Sequence, residues 1–183
     1  GENYVQEVVA KAPELPDDIR WHFIGHLQSN KVKDLLSVPN LHCVHTVDTI
    51  KLANELQKRA AQLRPGRPLL VFAQVNTSME ESKSGCKPDE IAALCTGIRS
   101  SCPALELVGL MCIGKYSASE GGSDTDFACL VQCRVTAAAA LGTTPEALAL
   151  SMGMSHDYEA ALAAGATHVR VGSTIFGKRA AKV

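Results

Sequence analysis

Short apolar runs alternate with longer amphipathic stretches from one end of this chain to the other. Runs rich in branched or aromatic residues fall at Trp21 to Gly25, Cys43 to Val47, Leu69 to Val75, Leu107 to Ile113, Leu148 to Met152 and His168 to Val171. Near-continuous apolar runs of this length fit strands covered on both faces, as in a parallel sheet. The intervening stretches carry a helical period. Residues 49–63 place Ile50, Ala53, Leu56, Ala60 and Leu63 on one stripe, with Asp48 as N-cap and Pro65-Gly66 as stop. Residues 88–99 begin at a first-turn proline and turn Ile91, Leu94, Cys95 and Ile98 inward. Residues 126–141 and 157–164 form two further helices, each followed by glycine in the position that favours a left-handed backbone.

Strand and helix in regular alternation make parallel βα units, in an open doubly wound sheet or a closed barrel. The first strand is not followed by Gly-x-Gly-x-x-Gly, which argues against a dinucleotide-binding sheet. A TIM-type (β/α)8 barrel fits better, yet the pattern yields six strands, and a full barrel takes about 250 residues. At 183 residues, the expectation is one barrel domain over 1–183 lacking its first one or two βα units. Such an arc would leave unpaired strand edges, which invite pairing with another copy.

Composition narrows the function classes. With 18 basic and 19 acidic residues the net charge is -1, so no basic excess exists to hold nucleic acid or an anionic membrane. The seven cysteines contain no CxxC pair and no Cys/His grouping with zinc-ligand spacing, so no metal site is expected, and several sit inside apolar patterns, as buried thiols do in a reducing cytoplasm.

Chemistry concentrates near the C-terminal end. The runs Leu150 to Ser155 and His168 to Gly177 each leave a strand and enter a turn or helix. In barrels, the loops after the last two strands commonly form a phosphate cup, where glycine lets the backbone approach and N–H groups meet the anion. Ser155, Gly172, Ser173 and Thr174 are the candidates, with ordinary capped turns as the alternative. Arg170 sits inside a strand, where an unpaired charge is costly. It either forms a structural ion pair or addresses a ligand, and its place two residues before Gly172 favours the ligand. Ser155-His156-Asp157 is not a catalytic triad, because consecutive residues cannot converge; a serine cap with Asp157 in the first turn explains it. His26 is either an acid/base group or a helix cap. Lys31 and Lys33 read as solvated, and residues 77–85 as a mobile polar rim.

The runs GENYVQE (1–7), WHFIGHLQSNKVK (21–33), QVNTSMEESKSG (74–85), GLMCIG (109–114), LSMGMSHDYEAALAAG (150–165) and VRVGSTIFGKR (169–179) together resemble the pyridoxal phosphate homeostasis proteins. The resemblance covers essentially the whole chain in order. It implies a barrel like the N-terminal domain of alanine racemases and pyridoxal 5′-phosphate (PLP) as cofactor. It also implies a non-catalytic role in PLP supply, with PLP-dependent enzymes as clients and a monomer or weak dimer as the working form. By motif, Ser155, Gly172 and Ser173 would hold the phosphate and Arg170 would face the pyridine nitrogen. Asn3 would lie near the phenolic oxygen, with His26 and Met111 lining the site. The family's Schiff-base lysine lies upstream of GENY, and none of Lys31, Lys33, Lys83 or Lys115 matches its position. A missing front segment, and weak or absent PLP binding by these 183 residues alone, are therefore expected. The alternatives are a PLP-dependent racemase of low activity and a barrel enzyme acting on another phosphorylated metabolite.

Overall fold

The computed structural model describes residues 1–114 and 122–177. Lys115 and the Lys178-Arg179 end of the last motif lie outside the described residues.

Six strands form one sheet in sequence order, every neighbouring pair parallel: β1 (Trp21–Phe23), β2 (Leu41–Val47), β3 (Leu69–Val75), β4 (Leu105–Cys112), β5 (Ala149–Met154) and β6 (His168–Arg170). All six expected strands are present, with ends shifted by up to two residues and β3 unchanged. Ahead of them, Glu2 pairs with the outer edge of β1: its N–H donates to the His22 carbonyl, and its carbonyl accepts from Ile24 (both 2.9 Å). The outer edge of β1 is thus not bare at that point.

The helices are α1 (Val5–Lys11), α2 (Val32–Leu36), α3 (Ile50–Leu63), α4 (Ile91–Ser101), α5 (Gly122–Leu141), α6 (Tyr158–Ala163) and α7 (Ser173–Phe176). The inward face of α4 is as expected, with Ile91, Leu94, Cys95 and Ile98 buried. In α3 the cap is Thr49, not Asp48: its Oγ1 accepts from the Leu52 N–H at 3.2 Å. The buried stripe shifts accordingly to Leu52, Ala53, Leu56 and Ala60, leaving Ile50 and Leu63 about half exposed. Ile50 instead leans over Gly97 of α4, where a Cβ would come within 2.9 Å of its Cδ1.

Two apolar layers result. The larger lies between the helices and the outer face of the sheet, built on residues such as Leu56, Val71, Ile98, Leu110 and Leu130. The smaller lies on the inner face, where Cys43, Phe72 and Met111 pack together. Side chains alternate between the layers along β3, with Leu69, Val71 and Ala73 outward and Leu70 and Phe72 inward.

The sheet curls strongly. Strands β2 and β5 are three places apart, about 14 Å in a flat sheet, yet His45 Nδ1 of β2 lies 2.9 Å from Ser151 Oγ of β5. The rings of His22 on β1 and His168 on β6 have centroids 6.3 Å apart; five flat spacings would separate them by about 24 Å. Only a half-barrel brings those side chains together. Gly109 permits one of the close approaches, since a Cβ there would lie 2.1 Å from the Ala149 carbonyl oxygen.

Candidate functional site

The turns that follow β5 and β6 meet at the C-terminal end of the arc. Ser155 Oγ accepts from the Gly172 N–H at 3.0 Å and from the Thr174 N–H at 3.5 Å. The serine does not cap α6; that place belongs to Asp157, whose Oδ1 accepts from the Met154 N–H at 2.6 Å. One hydroxyl oxygen therefore sits where N–H groups from the start of α7 converge, as an anion oxygen would. Ser173, the first residue of α7, completes the turn.

Arg170 points to the concave face, as its position in β6 required. Among the described residues it forms no ion pair; its contacts are hydrogen bonds. Nη1 donates to Ser151 Oγ (2.9 Å) and Nη2 to the Cys112 carbonyl (2.8 Å), tying β6 to β5 and β4. Arg170 also lines a cleft of about 180 Å³ with Lys83, Ile113, Gly114, Met154 and Asp157. The cleft adjoins the turn that carries Ser155. A larger recess of about 380 Å³, lined by residues such as Pro68, Pro103 and Leu105, opens where β3 and β4 begin. That is the opposite end from the one barrels use for chemistry.

The remaining candidates are spread more widely. Met111 is fully buried beside Cys43 and Phe72, beneath the rim. Asn3 is exposed and passes so close to Gly25 that a Cβ there would lie 1.9 Å from the Asn3 carbonyl oxygen. His26 caps no helix; its Nδ1 lies 2.9 Å from Ser84 Oγ in the loop after β3. That loop, expected to be a mobile rim, is laced by hydrogen bonds. Asn76 Nδ2 donates to the carbonyls of Glu80 (2.8 Å) and Lys83 (3.3 Å), and Gln74 Nε2 donates to that of Ser84 (3.0 Å). Lys83 Nζ is held by Glu80 (2.7 Å) and donates to the Gly114 carbonyl (3.1 Å).

Sequence reasoning missed a polar chain across the concave face. Arg170 donates to Ser151, Ser151 meets His45 Nδ1, and His45 Nε2 lies 2.8 Å from His22 Nδ1. His45 stacks on Phe72 with centroids 4.3 Å apart and planes at 18°. Burial, reinforced by neighbouring positive groups, pushes the His45 pKa down to about 2 and that of His22 to about 4. Both imidazoles are therefore neutral near pH 7, each with one nitrogen able to accept. The available signal was the i, i+2 spacing of Cys43 and His45, which puts both on one face of a strand.

A model of the alanine racemase N-terminal domain family matches residues 1–180. The pyridoxal phosphate homeostasis protein of Mus musculus is 46% identical over 98% of this chain and 68% of its own length. The chain belongs to the pyridoxal phosphate homeostasis protein family. The structure of PipY from Synechococcus elongatus with PLP bound superimposes with a TM-score of 0.77 at 34% identity, covering 97% of this chain and 80% of PipY. Alanine racemase from Clostridium difficile shares the fold alone, with a TM-score of 0.69 at 15% identity over 94% of this chain and 44% of the racemase.

Members of the pyridoxal phosphate homeostasis protein family are named for a phosphorylated pyridine. The residues here fit both ends of such a molecule: N–H groups converging on one oxygen position at the Ser155 turn, and a guanidinium beside the adjoining cleft.

Proposed function

We propose that this chain binds PLP at the C-terminal ends of its strands and serves PLP homeostasis as a non-catalytic carrier or buffer. Ser155, Gly172 and Ser173 hold the phosphate, and Arg170 addresses the ring nitrogen. Asn3 lies toward the phenolic oxygen, while His26 and Met111 form the wall and floor. The single observation carrying this reading is the meeting of two turns at Ser155 Oγ, which gathers the Gly172 and Thr174 N–H groups at one point. PipY, with PLP bound, supports the choice of ligand. The names of the relatives support homeostasis over a reaction.

Bound PLP supplies an aldehyde that can be handed to client enzymes; the chain's own residues bind and orient it. Residues 1–183 are read as one domain of the (β/α)8-barrel type, with six parallel strands among the described residues. Its setting is the cytoplasm, in keeping with seven free cysteines, and its working form a monomer or weak dimer.

Calorimetric titration with PLP, pyridoxal and inorganic phosphate tests the proposal. PLP should bind weakly, through phosphate and ring contacts without an imine to the chain; phosphate should compete, and pyridoxal should bind at least tenfold more weakly still. Ser155→Ala should cost about 1.5 kcal/mol of PLP affinity, roughly tenfold, as the loss of one hydrogen bond to a charged group. Equal affinity for pyridoxal and PLP would sink the assignment.

A further inference from the structure

We propose that His22, Cys43 and His45 form a binding site for a thiophilic divalent cation, zinc in the first instance, on the concave face of the half-barrel. The strand register pairs His22 of β1 with Cys43 of β2. His45 follows two residues later, on the same face. Each residue offers one donor atom, and all three atoms lie within 4.8 Å of one another. The two nitrogens facing each other at 2.8 Å share a proton in the metal-free protein. A cation takes the place of that proton, which shifts to the other nitrogen of the ring that carried it, once the rings part by about 0.5 Å, giving Zn–N near 2.0–2.1 Å and Zn–S near 2.3 Å. Binding also releases the Cys43 thiol proton to solvent, so that the thiolate becomes the sulfur ligand.

The surroundings hold one ring in the required attitude. His45 Nδ1 is engaged by Ser151 Oγ at 2.9 Å, and Ser151 is gripped in turn by Arg170 at 2.9 Å. That leaves Nε2 turned toward the site. Ligating histidines typically have their second nitrogen fixed in this way, which sets the tautomer. Phe72 stacked on His45 prevents the ring from swinging away. Two imidazoles and a thiolate form a borderline-soft set that selects zinc or cobalt over magnesium and calcium. Three protein ligands leave a fourth position for water, as in open zinc sites. None of the three residues is among those proposed to hold PLP, although Arg170 grips Ser151 and Met111 packs against Cys43.

The experiment is a Co²⁺ titration of the full 183-residue chain, stripped with chelator and carrying no added histidines. One equivalent should bind and give a thiolate-to-cobalt charge-transfer band in the near ultraviolet, displaced by Zn²⁺. Cys43→Ser should abolish the band, and Cys102→Ser should leave it intact. Ser151→Ala should keep the band and weaken binding by about 10- to 100-fold. His22→Gln, at the half-buried margin of the cluster, should keep the band with at least tenfold lower affinity; it decides the matter if Cys43→Ser fails to fold. No band at saturating Co²⁺, a band that survives Cys43→Ser in folded protein, or unchanged affinity in His22→Gln would each overturn the site.

Discussion

Acid should destabilise this fold through its buried histidines, and His45 allows the size of the effect to be worked out. Its ring lies between Phe72 and Ser151 and faces His22, His168 and Arg170. A second proton on it would be both desolvated and repelled. In the unfolded chain a histidine titrates near 6.5, whereas burial lowers this one to about 2 and His22 to about 4. Between those values the unfolded state binds more protons, so stability rises with pH. The histidine contribution is fully present above the unfolded pKa and is lost progressively as pH falls below about 6.5. At about pH 4.5 the loss from His45 is about 2.7 kcal/mol. His22 would lose nearly as much, but it is only half-buried and solvent screening reduces its share to about 1 kcal/mol.

Together they amount to about 4 kcal/mol, a large part of a typical domain's stability. The assay is urea unfolding followed by fluorescence of Trp21, the single tryptophan, which is 6% exposed in the folded protein. Chelator is present throughout. With an m-value near 2 kcal/mol/M, the midpoint should fall by about 2 M between about pH 7.5 and pH 4.5. His45→Gln can keep hydrogen bonds to both neighbours without titrating. It should remove about 2.7 kcal/mol of that pH dependence, while the background from other groups cancels in the comparison. Equal pH slopes for wild type and His45→Gln would refute the reasoning.

Arg170→Leu should lower stability by about 2 kcal/mol, because the Ser151 hydroxyl and Cys112 carbonyl lose a donor while the cost of burying a cation disappears; for a domain of this size that is about 4–8 °C in Tm, and an unchanged Tm would show that the two bonds contribute nothing net. Gly109→Ala should cost about 3 kcal/mol by forcing β4 and β5 apart, since its Cβ would lie 2.1 Å from the Ala149 oxygen; calorimetric melting reads the loss, and a tolerated substitution would contradict the close approach. Treating the 183-residue chain with PLP and then borohydride should leave Lys83 unmodified, because its Nζ is engaged by Glu80 at 2.7 Å and by the Gly114 carbonyl at 3.1 Å and must leave both to reach the aldehyde; a reduced pyridoxyl adduct mapped to Lys83 would overturn this.

What the sequence disclosed and what it hid divide along one physical line. Strand identity was legible because a strand buried on both faces leaves a dense apolar run, and β3 came out residue for residue. The inner face of α4 was legible for the same reason, since helical period and burial coincide in Ile91, Leu94, Cys95 and Ile98. Local competition among polar residues was harder to read. Asp48 and Thr49 are both able caps, and only the geometry selects Thr49. Ser155 precedes a helix and so resembles a cap, yet it bonds across to residues 172 and 174.

The polar chain on the concave face lay beyond reach of any local pattern. His45 and Ser151 are 106 residues apart, and in a flat sheet three strand spacings would separate them. Their contact is a property of curl, which depends on how each strand pairs with the next. Period-two spacing could place Cys43 and His45 on one face, but not reveal that β5 would arrive there. The same curl carries Arg170 to the carbonyl end of β4 and brings the turns after β5 and β6 to one point. Phosphate turns and histidine cluster therefore share a cause. Any change that flattens the sheet, Gly109→Ala above all, should weaken PLP and cobalt binding together, although no residue touches both ligands.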